Sequence, residues 1–224
     1  MMTQEEIMNM LEKSYNDFLT DIGKVDKCLA IDKEDLNNLQ GLPKELISFW
    51  KKYGICSYAK GLWWHTNPRD FDEVVEEWLR DTKYWEPKTN RYHVIGRNAY
   101  GDLRLWGEKT GDNLEIEPLS GRIIHTHSDE KYILNSESYK VVNAFVAGGY
   151  DRSYYDRYNL FDRIHKKLGT LKYNEMYTAV PMPLFSGGIT LKNAQKEDLF
   201  VQLSLIKQFI GEPEIIDFSK LSLP

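Results

Sequence analysis

Three sets of side chains in this sequence have types and spacings that chemistry uses. His125 and His127 stand two apart in His125-Thr126-His127-Ser128-Asp129. On a strand such positions share a face, so both imidazoles could reach one cation, with His93 or Asp129 as a third ligand. The plainer reading is two surface histidines ending an edge strand, because a metal site also needs partners that orient each ring. The second set is Glu115-Ile116-Glu117 with Asp102 on the preceding strand. Carboxylates so placed could hold Mg²⁺ for phosphodiester cleavage, which would make the chain a metal-dependent hydrolase. Such layouts want a lysine beside the carboxylates, and the alternating position here is a second glutamate. Glu115 and Glu117 are therefore expected to be the solvent face of an amphipathic strand. The third set is aromatic: Trp63-Trp64, Trp78, Trp85 and Trp106. Core packing accounts for most of them, but Trp63 and Trp64 are adjacent on an extended segment and point to opposite sides. One of the pair is expected to be exposed, as an interface anchor would be.

The elements that must carry these residues follow from periodicity. Thr3-x-x-Glu6 is a capping box, and Ile7, Leu11, Tyr15, Phe18 and Ile22 recur at helical spacing behind it. A second helix starts at Pro43, buries Leu46, Phe49, Trp50 and Tyr53, and stops at Gly54. A third opens on Asn67-Pro68 with a stripe of Phe71, Val74, Val75, Trp78 and Leu79. The period then changes to two. Strands are expected over 92–97, 102–107, 113–118 and 122–127, joined by Gly-containing connections too short for a crossover, so they pair antiparallel as a meander. Helices return with Tyr139, Val142, Phe145 and Val146, with Leu160 to Leu168, and with Leu199, Leu203, Ile206, Phe209 and Ile210. Val201 and Leu205 lie off the stripe of the last helix, which is therefore expected to meet protein on two sides. Pro181-Met182-Pro183 and Gly187-Gly188 mark a stretch unsuited to regular helix. The class is α+β, a central antiparallel meander flanked by N-terminal and C-terminal helices.

Composition closes off other classes. The chain has 224 residues, 42% hydrophobic and 28% charged, enough to bury roughly 70% of its extended surface. Cys28 and Cys56 are its two cysteines, too few for a disulfide framework or a four-thiolate zinc site, and they are expected to be reduced. No apolar run approaches the ~20 residues of a bilayer span, and the acidic start Met1–Glu6 lacks the basic region of a signal peptide. A cytoplasmic protein that does not engage membranes is expected. The net charge of −5 arises in residues 1–40, which carry 4 basic and 9 acidic side chains, leaving the rest balanced. No basic patch suits phosphate neutralisation, so nucleic acid is not the expected partner. No phosphate-binding glycine loop, nucleophile elbow or Cys-x-x-Cys occurs, and no cofactor or enzymatic activity is expected. The most suggestive surface is acidic: Asp70, Asp72, Glu73, Glu76 and Glu77 lie within eight residues on the third helix. First-turn carboxylates favour the helix dipole, and the others could steer a basic partner toward the chain.

Two stretches resemble known families. Leu42-Pro43-Lys44-Glu45-Leu46-Ile47-Ser48-Phe49-Trp50-Lys51-Lys52-Tyr53-Gly54, followed by Gly101-Asp102-Leu103-Arg104-Leu105-Trp106, resembles the GAD-like domain. Leu160-Phe161-Asp162, Leu168-Gly169-Thr170-Leu171, Asn174-Glu175-Met176-Tyr177, Val180-Pro181 and Gly187-Gly188 resemble the C-terminal domain of Tdi-type immunity proteins, which accompany DNase effectors of type VI secretion. The resemblance implies a GAD-like domain over 1–130 and a helical C-terminal domain over 131–224 docked on it. It also implies a non-catalytic protein that binds and silences a cognate toxin. Asp72, Glu73, Glu76 and Glu77 would then meet a basic toxin surface, and Trp63 or Trp64 would anchor it. A metal-dependent hydrolase using Asp102, Glu115 and Glu117, or a regulatory scaffold, is the alternative.

Overall fold

A computed structural model of the chain describes residues 2–31, 39–148 and 151–219. Helix α1 (Gln4–Ile22) begins at the capping box, with Thr3 Oγ1 accepting from the Glu6 amide and Glu6 reaching back to the Thr3 amide. Its stripe of Ile7, Leu11, Tyr15, Phe18 and Ile22 is buried. Helix α2 (Lys44–Tyr53) follows Pro43 and ends at Gly54, whose amide donates to the Trp50 carbonyl. Gly54 has φ +82°, and a Cβ there would lie 2.9 Å from the Leu29 carbonyl oxygen, so this tight exit requires glycine. Asn67 caps a 3-10 turn (Pro68–Phe71) that runs into α3 (Asp72–Leu79).

The expected meander is present as β4 (Tyr92–Asn98), β5 (Leu103–Gly107), β6 (Gly111–Glu117) and β7 (Arg122–His125). It is the centre of a larger sheet. Strands β1 (Val25–Leu29), β2 (Ile55–Tyr58) and β3 (Trp63–His65) extend it on one side, and the late strand β10 (Glu214–Asp217) on the other. The order is β1-β2-β3-β4-β5-β6-β7-β10, antiparallel throughout except that β10 runs parallel to β7. Cys28 faces Cys56 across the β1–β2 pair, and the two form a disulfide. That corrects the expectation of two reduced thiols: a cross-strand register 28 residues apart, invisible in spacing alone, brings them together.

Short helices α4 (Glu130–Leu134), α5 (Ser138–Val146), α6 (Arg152–Tyr155) and α7 (Phe161–Leu168) follow the meander. A separate antiparallel pair, β8 (Glu175–Ala179) and β9 (Ala194–Asp198), brackets one helical turn, α8 (Pro183–Ser186), inside the stretch expected to resist helix. Helix α9 (Leu199–Ile210) then leads into β10. Helices α1, α2 and α5 pack together on one side of the sheet, and α3 and α9 pack together on the other. Both faces of the sheet are therefore covered, and its central strands β4 and β5 are buried along their whole length.

Candidate functional site

The three carboxylates converge, though not as a solvent face. Register pairs Arg104 with Glu115 and Leu103 with Ile116, so Asp102, Arg104, Glu115 and Glu117 share one face of β5 and β6. That face is roofed by the segment 151–158. Arg157 reaches down from it, 3.1 Å from Asp102 Oδ2 and 2.6 Å from Glu117 Oε2, and Tyr154 Oη donates to Glu115 Oε2 at 2.6 Å. The expectation that Glu115 and Glu117 are solvated is thus corrected: alternation identifies the polar face of a strand, whereas the roof comes from residues some forty positions later. The cation beside the carboxylates is an arginine rather than a lysine. Burial raises the Asp102 carboxyl, opposed by Arg157. Burial and the neighbouring Asp102 charge push Glu115 up to about 7. The roof is held further by Asn98, which donates to the Tyr155 carbonyl, and by Tyr100, which donates to Asp156 at 2.6 Å. The arrangement is a clasp between sheet and segment.

The histidines are dispersed. His125 Nδ1 lies 3.0 Å from Asp217 Oδ1, which ties β7 to β10, and His127 is exposed beyond the strand end. His93 is buried on β4, 3.0 Å from Glu108 Oε1. Strands β4 and β7 are three places apart in the sheet, roughly 14 Å, so His93 and His125 serve different neighbours. Asp129 sits against Gly111, its carboxyl pushed up to about 6 by burial and by Asp112. Among the described residues no three His, Cys, Asp or Glu side chains form a group suited to a metal ion.

Trp63 and Trp64 do point to opposite sides, but neither is exposed: they are 4% and 5% accessible. Trp63 packs against Tyr155 and Phe145 on the α5 side. Trp64 lies beneath the Arg97 guanidinium and near Tyr173 on the other, its Nε1 donating to the Gly61 carbonyl. The anchor expected of this pair is corrected because β3 is an interior strand with protein on both faces. Trp78 and Trp106 are core residues, and Trp78 Nε1 donates to the Leu203 carbonyl of α9.

The acidic residues of α3 divide between two sides. Asp72 turns to Arg91 at 2.8 Å. Glu76 pairs with Arg80 one turn on, and Glu77 accepts from Ser204 of α9 at 2.9 Å. Glu73 is exposed. Two adjoining grooves run between α3 and α9. One is lined by Glu73, Glu76, Glu77, Arg80, Asp81 and Lys207, the other by Asp70, Glu73, Glu77, Tyr173, Phe200 and Ser204. Together they present five carboxylates against two cations.

Beside these grooves lies a feature that sequence reasoning missed. Helix α9 does meet protein on two sides, the core through Leu199, Leu203 and Ile206 and α3 through residues such as Ser204. Val201 and Leu205, on which that expectation rested, take no part: they are 54% and 37% exposed, and Phe209 is 64% exposed. The three recur every fourth residue and form one ridge. Phe185 of α8, 68% exposed, meets Phe209 edge-on at 5.8 Å. The available signal was the apolar character of α9 all round, in excess of what one buried stripe uses.

Comparisons with known proteins agree with this architecture. Residues 13–120 match the GAD-like domain, and residues 139–210 match the C-terminal domain of the T6SS immunity protein Tdi1. No curated protein matches the sequence. The crystal structure of Atu4351 from Agrobacterium tumefaciens shares the fold at a TM-score of 0.76, covering 94% of this chain and 95% of that one at 22% identity. The chain thus joins, in this order, a GAD-like domain and a C-terminal domain of the Tdi1 immunity-protein type.

Proposed function

We propose that this chain is an immunity protein that binds a toxin delivered by type VI secretion, a nuclease by preference, and neutralises it in the cytoplasm by covering its active surface. The observation that carries the reading is the match of residues 139–210 to the Tdi1 immunity C-terminal domain, placed after a GAD-like domain. The chemistry of the chain is compatible with it. The carboxylates nearest to a catalytic arrangement, Asp102, Glu115 and Glu117, are engaged by Arg157 and Tyr154, which supports a binding role over catalysis. A nuclease must offer a basic surface to DNA, and a protein of net charge −5 with Glu73 exposed and Glu76 and Glu77 half-buried on α3 suits such a surface. The domains are read as 1–130 and 131–224, the second docked on the first through α5 against α1 and β10 against β7.

The test is protection. The product of the neighbouring gene should arrest cells and degrade their DNA when produced alone, and co-production of the chain should restore growth. Unchanged arrest despite comparable amounts of both proteins would overturn the reading.

A further inference from the structure

We propose that the ridge Val201, Leu205 and Phe209 of α9, continued by Phe185, is the apolar anchor on which the toxin seats, with the α3 carboxylates as its charged rim. The inference rests on the immunity reading and specifies the surface that the reading leaves open.

Phe185 and Phe209 are more than 60% accessible and meet edge-to-face, and Val201 and Leu205 continue their line along the helix. Contiguous apolar surface on an otherwise polar exterior marks a place where protein meets protein, and aromatic side chains dominate the energetics of such places. Acidic grooves flank the ridge. Ser204 and Gln208, which border the grooves, lie three residues beyond the ridge residues Val201 and Leu205 on the same helix, a spacing that makes them surface neighbours, so the grooves adjoin the ridge. The grooves carry Asp70, Glu73, Glu76, Glu77 and Asp81 against Arg80 and Lys207. An apolar ridge with an acidic border is complementary to a basic surface that contains an apolar recess. A toxin domain that grips nucleic acid offers the first of these. A second copy of this chain would instead bring a like-charged rim against it. Asp72 lies outside this surface, paired with Arg91.

The division of labour follows from dielectric environment. Rim charges act at long range and tune association, whereas desolvated aromatics hold the complex and set dissociation. The full chain and the product of the neighbouring gene, carrying an inactivating substitution, are used to measure association and dissociation rates. Phe209→Ala should speed dissociation at least about 30-fold, and Val201→Ser should act in the same direction. Glu73→Gln with Glu76→Gln should slow association at low salt by about 3-fold to 10-fold and leave dissociation nearly unchanged. Leu29→Ser, at the opposite edge of the sheet on β1, should behave as wild type. The ridge residues are exposed, and unchanged melting temperatures would verify that the variants fold. If wild type binds and Phe209→Ala, Val201→Ser and Phe185→Ala all dissociate at its rate, the anchor is wrong and the immunity reading stands. If wild type neither binds nor protects, the immunity reading fails and takes the anchor with it. If wild type sediments as a dimer that Phe209→Ala converts to monomer without altering effector binding, the ridge is a self-interface and the proposal is overturned.

Discussion

The Arg97 guanidinium lies 4.6 Å above the Trp64 ring while donating to the Tyr173 carbonyl at 2.6 Å, so one buried side chain joins β4, β3 and the segment leading to β8. It donates also to the Asn98 carbonyl at 3.2 Å. Burial lowers its pKa to about 9, and carbonyl oxygens and a π face compensate the desolvated charge. Arg97→Lys keeps the charge but loses the planar fork and the stacking. It should cost about 2–4 kcal/mol, read as a lowered urea midpoint with an unchanged slope.

Arg157 spans two carboxylates, and its removal should be costly for a different reason. Arg157→Met leaves Asp102, 4% accessible, and Glu117, 13% accessible, facing each other without a cation. Breaking a buried ion pair from one side costs about 3–5 kcal/mol. The double variant Arg157→Met with Asp102→Asn should recover part of that loss, and equal urea midpoints for wild type and Arg157→Met would show that the clasp contributes nothing.

Glu115 should make stability depend on pH. Its carboxyl is raised from 4.5 to about 7 by burial first and then by the Asp102 charge, with Glu117 acting in the same sense and Tyr154 and Arg104 opposing it. A folded pKa above the unfolded value means that the folded state binds the proton more tightly. The stability from this group is complete below about pH 4.5 and is lost as pH rises through about 7. The slope between those values is at most about 1.4 kcal/mol per pH unit. Glu115→Gln should flatten the dependence between pH 5 and 7.5, measured by urea unfolding at several pH values.

The Cys28–Cys56 bond closes a loop of sequence separation 28 and fixes the edge strand β1 to β2. Loop-closure entropy for that separation amounts to about 3–4 kcal/mol as an upper bound. Reduction, or Cys28→Ser, should lower the melting temperature by about 5–10 °C and increase amide exchange across residues 25–29 before other strands. The thermal scan with and without reductant is the measurement, and coincident curves would show that strand pairing alone holds β1.

Local signals in the chain were strong where one segment supplies the whole physical cause. The capping box at Thr3 and Glu6, the Pro43 start and Gly54 stop of α2, and the Asn67 cap are each complete within a few residues. The meander was legible too, because Gly-containing turns this short leave antiparallel pairing as the available geometry. Strands β1, β2, β3 and β10 were not. They span three to five residues, β2 is buried at every position and β1 is exposed at every position, so neither alternates.

The candidate surface divides along the same line. From the sequence alone came the acidic face of α3, the apolar excess of α9, the α+β class and the two domain resemblances, all properties of contiguous residues. Tertiary structure decided which of them meets solvent. Trp63 and Trp64 were placed inside because β3 became an interior strand, and Glu115 and Glu117 were covered because Tyr154 and Arg157 arrive from a distant segment. Val201, Leu205 and Phe209 were left outside because α9 spends its other sides on the core and on α3. Burial is a property of what packs against a residue, and that neighbour is set by long-range contacts which periodicity does not encode.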